Sequence, residues 1–337
     1  MTYKRQTFKI VAVGFLVAAA SIVAYFVLVP YRALKLSLVG HTTDINCLSF
    51  SPKTNILASS CWGGALRIWD LQNRNNDRVL PGTYASRQTL AFAPDGKTLA
   101  AIATNGSVYV WEVNTCVQVH SLEADTNGNT YGIAYSPDGR LLATGGANRM
   151  VKLWNARTGQ SIAILEAEQE EIRALAFSSD SRLLVSRTDI AITIWNMESQ
   201  KRQATIEERR PYTGRVQIAF LPTGLLLGLN QSRDVSVWDG ISGAVTKSFA
   251  RGLGYRINDL VLCPDGNTLL MGGRDSTIDL GRYSFAAMDM SSGKCLVRRK
   301  IREVCAIAIS ADEKLIATGG RDGKLQIWDF SEFIGRD

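Results

Sequence analysis

Short runs of alternating apolar and polar residues, each closed by a tryptophan, recur along most of the chain. Six of the seven tryptophans end such a run, in the segments LRIWD, VYVWE, VKLWN, ITIWN, VSVWD and LQIWD. Alternation with a period of two predicts half-buried β-strands. Upstream of each run, two apolar segments flank a turn of the Pro-Asp-Gly kind, as in IAYSPDGRLLATG, and this arrangement predicts a hairpin. The pattern therefore predicts an all-β chain.

The tryptophans that end these runs are evenly spaced. Successive ones lie 42, 43, 41 and 43 residues apart, and the last gap is 90 residues. The long gap contains a further copy of the pattern, in which Met288-Asp289 stands where Trp-Asp is expected. A period of about 40–45 residues is typical of repeat architectures whose units stack on their neighbours. The sequence therefore predicts seven such units in one domain, because no low-complexity or proline-rich linker separates them.

The repeats resemble the WD-repeat family of β-propellers over residues 33–330. This resemblance implies a seven-bladed β-propeller with four strands per blade, over residues 30–330. In that family a histidine, a strand hydroxyl, an aspartate and the tryptophan form a hydrogen-bonded network inside a blade. The Gly-His dipeptide of that network occurs here only as Gly40-His41. No repeat offers the complete network in standard form, so we expect apolar packing to carry more of each blade's stability.

The last repeat ends shortly after Trp328 and lacks a fourth strand. Family members of this kind close the ring with a strand from the N-terminal side, and the resemblance implies the same here. Residues 33–38 alternate Leu34, Leu36 and Leu38 with polar neighbours, which is typical of a half-buried strand. We therefore predict that residues 33–38 form the outermost strand of the last blade, and that residues 331–337 form a C-terminal tail.

The chain begins with a different pattern, in which a basic flank over residues 1–9 precedes twenty uncharged residues at positions 10–29. A helix of that length spans about 30 Å, the thickness of a bilayer's hydrocarbon core. A cleavable signal peptide is the alternative, but its apolar core is only about 7–15 residues long and ends in small residues. This run ends in VLVPYRA. We predict an uncleaved transmembrane signal-anchor helix at residues 10–29.

The charges that flank the apolar run bear on the side of the membrane that the propeller occupies. Lys4, Arg5 and Lys9 precede it, whereas Arg32 and Lys35 follow it closely. Basic residues near a span favour the cytoplasmic side, which predicts a single-pass protein with a cytoplasmic N-terminus and an extracytoplasmic propeller. Six cysteines without an evident disulfide framework favour the reducing side instead. The excess of basic residues directly before the apolar run favours the extracytoplasmic placement, which we predict.

The sequence contains no motif for catalysis, for a cofactor or for a metal. The only histidines are His41 and His120, the six cysteines form no C-x-x-C pair, and no glycine-rich phosphate loop follows a strand. A formal charge of +7 is moderate for this length, and no nucleic-acid-binding element accompanies it. We therefore predict a non-catalytic scaffold that binds protein and not nucleic acid. A hydrolase-like enzyme with a site in the central channel remains the alternative.

Candidate partner-binding residues come from positions that the resemblance places on one face of the ring, where family members often bind their partners. One column of positions, just before the family's aspartate, contains Trp62, Arg274 and Arg321. A second column, at the start of each blade's first strand, contains Tyr131 and Arg173. Aromatic residues and arginine are enriched in interface hot spots. The alternative is that these are ordinary polar loop residues, with Trp62 covering the incomplete network of the first blade.

A basic segment, RRKIR, lies where the outer strand of the sixth blade is expected. Its charged residues are Arg298, Arg299, Lys300 and Arg302. Basic residues on an edge strand commonly prevent pairing with other chains. Because this blade neighbours the blade that carries the anchoring strand, the segment could instead contact anionic headgroups, at about 1 kcal/mol per charge. Both interpretations remain open from the sequence.

Overall fold

The computed structural model describes residues 33–62, 64–73, 77–82, 90–125, 129–165, 168–207, 218–229, 235–249, 255–275, 283–301 and 304–335, with the backbone alone at 255–256, 274–275, 283–284 and 300. In this part of the chain, 28 strands form seven antiparallel sheets of four strands each. Each sheet is one blade, and the blades follow one another around a central channel. The predicted seven-bladed, all-β propeller is confirmed.

The blades are numbered in chain order, and their strands are given from the channel outward. Blade one contains β2 (Ile45–Phe50), β3 (Ile56–Cys61), β4 (Leu66–Asp70) and β5 (Arg78–Leu80). Blade two contains β6 (Leu90–Phe92), β7 (Thr98–Ile102), β8 (Val108–Glu112) and β9 (Gln118–Leu122). Blade three contains β10 (Thr130–Tyr135), β11 (Leu141–Gly146), β12 (Val151–Asn155) and β13 (Ser161–Ile164). Blade four contains β14 (Ala174–Phe177), β15 (Leu183–Arg187), β16 (Ala191–Asn196) and β17 (Lys201–Glu207).

The remaining three blades have the same construction. Blade five contains β18 (Ile218–Phe220), β19 (Leu226–Leu229), β20 (Val235–Trp238) and β21 (Val245–Phe249). Blade six contains β22 (Tyr255–Leu262), β23 (Thr268–Asp275), β24 (Tyr283–Asp289) and β25 (Cys295–Lys300). Blade seven contains β26 (Val304–Ile309), β27 (Leu315–Gly320), β28 (Lys324–Asp329) and, outermost, β1 (Leu34–Val39).

Ring closure is made by β1, which pairs antiparallel with β28 through partners such as Leu36 with Ile327. The pairing register shifts beside Lys35, whose ammonium lies 2.9 Å from the Asp329 carboxylate. The strand expected over residues 33–38 thus runs from Leu34 to Val39. It supplies the fourth strand that the last repeat lacks, so the outer edge of β28 is paired and not left open.

The core lies between the blades, where the apolar face of one sheet packs on the next. Leu66 and Ile68 of blade one, for example, share a buried cluster with Leu99 and Trp111 of blade two. In blades one, two, three and seven the third strand is buried at alternate positions and at the tryptophan that follows, whereas outer strands such as β13 are largely exposed. Because burial falls from the third strand to the outermost strand, the period-two pattern is clearest in the third strand of the repeats.

In four blades the tryptophan of the third strand donates a hydrogen bond to a hydroxyl on the neighbouring second strand. The hydroxyl belongs to the residue two positions after the one that pairs with the tryptophan. Trp69 Nε1 donates to Ser59 Oγ at 2.7 Å, and His41 Nε2 lies 2.6 Å from the same oxygen. Equivalent bonds join Trp154 to Thr144, Trp195 to Ser186 and Trp328 to Thr318, at 2.9, 2.8 and 2.9 Å. The network thus survives in part, and more widely than the sequence indicated.

Blade four replaces the histidine of the network with a carboxylate. Glu168 is buried and accepts hydrogen bonds from Ser186 Oγ at 2.6 Å and Thr193 Oγ1 at 3.1 Å. The hydroxyl of Ser186 therefore accepts from Trp195 and donates to Glu168, as a serine with one donor and two lone pairs can. The sequence did not indicate this glutamate, because the family's pattern has a histidine in this role.

The residues after Trp328 form a short helix, α1 (Phe330–Ile334), where a C-terminal tail was predicted. Asp329 caps its N-terminus by accepting the Glu332 N–H, and Gly335 ends it in the left-handed conformation. The Phe333 ring packs between Phe285 and Trp328, with ring centroids 4.6 and 4.8 Å away. The helix therefore fills the outer wedge between blades six and seven.

The predicted basic flank at residues 1–9 and the predicted anchor at residues 10–29 lie outside the described residues. Within the described ranges, no helix has both the length and the apolar character needed to cross a bilayer.

Candidate interaction face

One end of the ring brings together three residues from two blades. The Trp62 N–H donates to the Asp44 carbonyl at 2.8 Å, and the Thr43 hydroxyl donates to the Trp62 carbonyl. Arg321, from blade seven, places its Nε 3.6 Å from the Asp44 carboxylate. Trp62 is 59% exposed. Asp44, which the sequence did not single out, thus bonds the Trp62 backbone through its own carbonyl and pairs with Arg321 through its carboxylate.

Tyr131 and Arg173, from blades three and four, form a second cluster. The Arg173 guanidinium lies 4.9 Å from the centroid of the Tyr131 ring. It donates to Asp189 Oδ2 at 3.1 Å and lies 2.8 Å from Glu171 Oε2. Burial lowers the pKa of Arg173, but these two carboxylates outweigh it and raise the pKa above its ordinary value. Arg173 thus holds Tyr131 in place while its own charge is neutralised.

Both clusters lie at the same end of the ring. Trp62 and Arg321 directly follow the second strand of their blades, and Arg173 directly precedes a first strand. Because adjacent strands are antiparallel, the end of a second strand and the start of a first strand meet at one end of a blade. The seven blades repeat this geometry around the ring. We call this end the interaction face.

The structure describes Arg274 through its backbone alone. This residue lies on β23, where it pairs with Arg256 on one side and Tyr283 on the other. Its strand position is at the end that forms the interaction face. A part in partner binding therefore stays a prediction for Arg274.

The central channel contains a cavity of about 200 Å³ that is lined mainly by apolar residues of the first strands, with Tyr131 among them. Asp259 is the carboxylate in its described lining, and it is 8% exposed. Its Oδ2 accepts the Ile307 N–H at 2.7 Å and its Oδ1 accepts the Leu260 N–H at 3.1 Å. The aspartate thus joins blade six to blade seven, a role that its place in the apolar segment INDLVL could have suggested.

The titratable side chains offer little chemistry in the described part of the chain. No group of three or more histidine, cysteine, aspartate or glutamate residues is placed there to hold a metal ion, and the six cysteines are free thiols. Burial and the charge of Arg67 lower the pKa of His41 to about 4, so this ring is neutral at physiological pH. His120 Nε2 lies 3.0 Å from the Arg157 carbonyl of the next blade.

The first three residues of the basic segment, Arg298 to Lys300, lie on β25, the outermost strand of blade six, where an outer strand was expected. Arg298 is exposed, and Arg299 Nε donates to the Phe333 carbonyl of α1 at 3.1 Å. Lys300 is described through its backbone alone, and Arg302 lies outside the described residues.

Comparison with a family model supports the repeat assignment. The model described as "WD domain, G-beta repeat" matches residues 32–70, 116–155, 159–196 and 294–329. Each matched segment covers the outermost strand of one blade and the inner three strands of the next. Four segments of the chain thus match WD40 repeats, within a seven-bladed propeller.

The four matched segments are those that contain a tryptophan bonded to a strand hydroxyl. The three unmatched units differ at one or both of these positions. Blade two has Ala101 and blade five has Gly228 at the hydroxyl position, and blade six has Met288 at the tryptophan position and Met271 at the hydroxyl position. The segments that match the family model and the segments with the tryptophan–hydroxyl bond are therefore the same four.

Similar proteins share only part of their length with this chain. Periodic tryptophan protein 2 of Saccharomyces cerevisiae is 30% identical over 87 residues, which are 26% of this chain and 9% of that protein. Coronin-7 of Mus musculus is 42% identical over 76 residues, 22% of this chain and 8% of that protein. Protein LST8 homolog of Drosophila melanogaster is 30% identical over 71 residues, 21% of this chain and 23% of that protein.

Proposed function

We propose that the protein is a non-catalytic scaffold that binds a protein partner on its interaction face. The observation that carries this proposal is an exposed Trp62 at the same end of the ring as the exposed ion pair of Arg321 with Asp44. An exposed indole and an exposed guanidinium on one face offer contact area and directional donors, the residue types that hot spots favour. The Trp62 backbone donates to the Asp44 carbonyl and accepts from the Thr43 hydroxyl, so the loop backbone at Trp62 is already ordered before a partner binds.

The second cluster contributes shape and not charge. Tyr131 lies at the mouth of the channel with Arg173 stacked on its ring. Because Arg173 is already neutralised by Asp189 and Glu171, we expect it to position Tyr131 and not to attract an acidic partner. The repeats shared with the relatives above support a docking role, since proteins that resemble this one mostly act as platforms.

The test is capture of a partner by a triple variant, Trp62→Ala, Arg274→Glu and Arg321→Glu. We expect these changes to remove most of the captured protein after cross-linking and co-purification, and to leave the melting temperature nearly unchanged because the side chains of Trp62 and Arg321 are exposed. Ile241→Ala is the matched control, since it removes an apolar side chain that is 82% exposed elsewhere on the ring. Capture that persists in the triple variant would exclude this face.

We further propose that residues 10–29 anchor the protein in a membrane as a single uncleaved span, with the propeller on the extracytoplasmic side. Twenty uncharged residues and the excess of basic residues before them support this proposal. Intact mass of the membrane-extracted protein tests the anchor, and a start near residue 21 or 31 contradicts it. A reporter enzyme that is active only outside the cytoplasm, fused after residue 337, tests the orientation, and an inactive fusion reverses it.

A further inference from the structure

The hydrogen-bonded network of blade one ends on a buried donor. Ser59 Oγ accepts from Trp69 Nε1 and lies 2.6 Å from His41 Nε2. The His41 ring stands edge-on to the Trp69 ring, with centroids 6.0 Å apart. Ser59 is fully buried, and among the described residues its hydroxyl proton has no acceptor other than His41 Nε2. The serine therefore donates to Nε2, and the neutral imidazole carries its own proton on Nδ1.

The Nδ1–H of His41 has no acceptor in the described part of the chain, although His41 is only 6% exposed. In blade four the network ends differently, because Ser186 donates to the buried carboxylate of Glu168. The aspartate of the family's network would stand six residues before Trp69, and the sequence has Gly63 at that position. Blade one thus contains the donor end of the network without a described carboxylate that accepts from it.

Arg67 brings a second unpaired donor and a positive charge to the same part of blade one. Its guanidinium lies 5.6 Å from the centroid of the Trp69 ring. It also packs on Gly40, the residue before His41, so closely that a Cβ atom at Gly40 would lie 2.9 Å from Arg67 Cζ. Arg67 Nη1 pairs with Asp77 at 3.2 Å, whereas Arg67 Nε is buried and has no acceptor among the described residues. Two buried N–H groups, one of them on a cation, thus lie next to the same indole.

We infer that His41 and Arg67 form a binding site for a carboxylate. A carboxylate offers only acceptors, so its two oxygens can take the Nδ1–H of His41 and the Nε–H of Arg67, and its charge is opposite to that of the guanidinium. Hydrogen bonds to a charged group are stronger than neutral ones, and a buried donor without an acceptor is costly. A cation or a neutral donor would gain nothing from these two groups. The arrangement therefore selects an anionic oxygen ligand.

The site lies at the interaction face and opens to solvent along Arg67. This residue stands near the start of β4, at the end of the blade that carries Trp62, and its side chain is 21% exposed. His41 lies two residues before Thr43, whose hydroxyl donates to the Trp62 carbonyl. The carboxylate could come from an acidic side chain of the protein partner or from a small free acid. The first source rests on the proposed function and adds the chemistry of the partner, an aspartate or glutamate that reaches blade one while other residues contact Trp62.

The experiment uses the full chain in detergent with isotope-labelled histidine, and sodium formate as the probe in nuclear magnetic resonance. The chain has two histidines, His41 and His120, so substitution of either one assigns the ring signals. At neutral pH we expect a slowly exchanging Nδ1–H proton from the buried His41 ring, and formate should move its signal downfield in a saturable way by accepting its hydrogen bond. Sodium chloride at the same ionic strength should leave the signal in place. A His41 signal that formate does not move, or that chloride moves equally, overturns the inference.

Two matched variants test the contribution of Arg67. Arg67→Met keeps an unbranched side chain against Trp69 but removes the charge and the Nε donor, and we expect the Kd for formate to rise at least about tenfold. Arg78→Met makes the same change on the adjacent strand β5, at an arginine whose Nε is also buried without a described acceptor and whose Nη1 donates to the Asn114 carbonyl. This control should leave the Kd unchanged. An equal Kd in Arg67→Met and in the parent chain contradicts the site.

Gly63→Asp tests the site in the opposite direction. It supplies a carboxylate from the chain itself, at the position of the family's aspartate. We expect the His41 Nδ1–H signal to lie downfield without formate and to respond no further, because the site is already filled. This variant keeps the inference testable if Arg67→Met does not fold, and a formate response as large as that of the parent chain argues against the site.

Capture of the protein partner assigns the source of the carboxylate. Lower capture by Arg67→Met, with full capture by Arg78→Met, supports an acidic side chain of the partner. Full capture by both variants, together with the formate response of the parent chain, supports a free carboxylate as the ligand. If the triple variant of the interaction face still captures its partner while the parent chain responds to formate, the proposed function fails and the carboxylate site stands.

Discussion

Blade two contains a tryptophan whose indole N–H is buried and has no acceptor among the described residues, namely Trp111. In blade one the equivalent indole, Trp69, donates to Ser59 Oγ at 2.7 Å. Ala101 occupies the corresponding position of blade two and is fully buried. We predict that Ala101→Ser stabilises the protein, because its hydroxyl would accept from Trp111 with the geometry seen in blade one.

The magnitude follows from the cost of leaving a buried donor unsatisfied. A new hydrogen bond of this kind contributes about 0.5–1.5 kcal/mol net. The reverse change, Ser59→Ala, removes the partner of both Trp69 and His41. Because it leaves buried polar groups unpaired, it should destabilise by about 1–3 kcal/mol. The two changes are therefore opposite in sign and unequal in size.

Urea unfolding of the full chain in detergent, followed by tryptophan fluorescence, measures both changes. Thermal unfolding should show shifts on the order of 2 °C per kcal/mol for a domain of this size. Ala100→Ser is the control for Ala101→Ser, since Ala100 is also fully buried on the same strand but lies on its other face. An Ala101→Ser variant that is destabilised as much as Ala100→Ser, or a Ser59→Ala variant with unchanged stability, would contradict this prediction.

Three further changes test contacts that hold the ring together. Asp259→Ala should destabilise by about 1–3 kcal/mol, because it leaves the buried N–H of Ile307 without its acceptor; Asp259→Asn keeps an acceptor oxygen and should cost less, and equal losses would contradict this role. The pKa of His41 is lowered to about 4 in the folded protein against about 6.5 when unfolded, so the unfolded state binds the proton first. Stability should therefore be complete above pH 6.5 and fall by up to about 3 kcal/mol as the pH drops to 4, and an unfolding free energy whose pH profile is the same in His41→Gln would argue against it. Phe333→Ala should cost about 3–5 kcal/mol by emptying the wedge between blades six and seven, whereas Glu332→Ala at an exposed neighbour should cost little; equal melting temperatures of the two variants would show that α1 does not brace the ring.

The sequence predicted most of the residues on the interaction face, but not the contacts between them. Trp62 and Arg321 were identified from their places in the repeats, yet Asp44, which joins them, carries no signal of its own. Arg173 was predicted to contact a partner, and in the structure its guanidinium is paired with Asp189 and Glu171. A repeat pattern shows which positions are equivalent, but not which side chains from different blades meet.

The sequence by itself determined the repeat, the number of blades, the strands and the face on which each of the six repeat tryptophans is buried. These features follow from local periodicity, since alternation sets which side of a strand faces the neighbouring blade. Only the tertiary structure decided the replacement of histidine by Glu168, the blade-to-blade bond of Asp259, and the helix that packs Phe333 beside Ala33. Each of these contacts joins residues of different strands or blades, and such pairings exist only once the ring has closed.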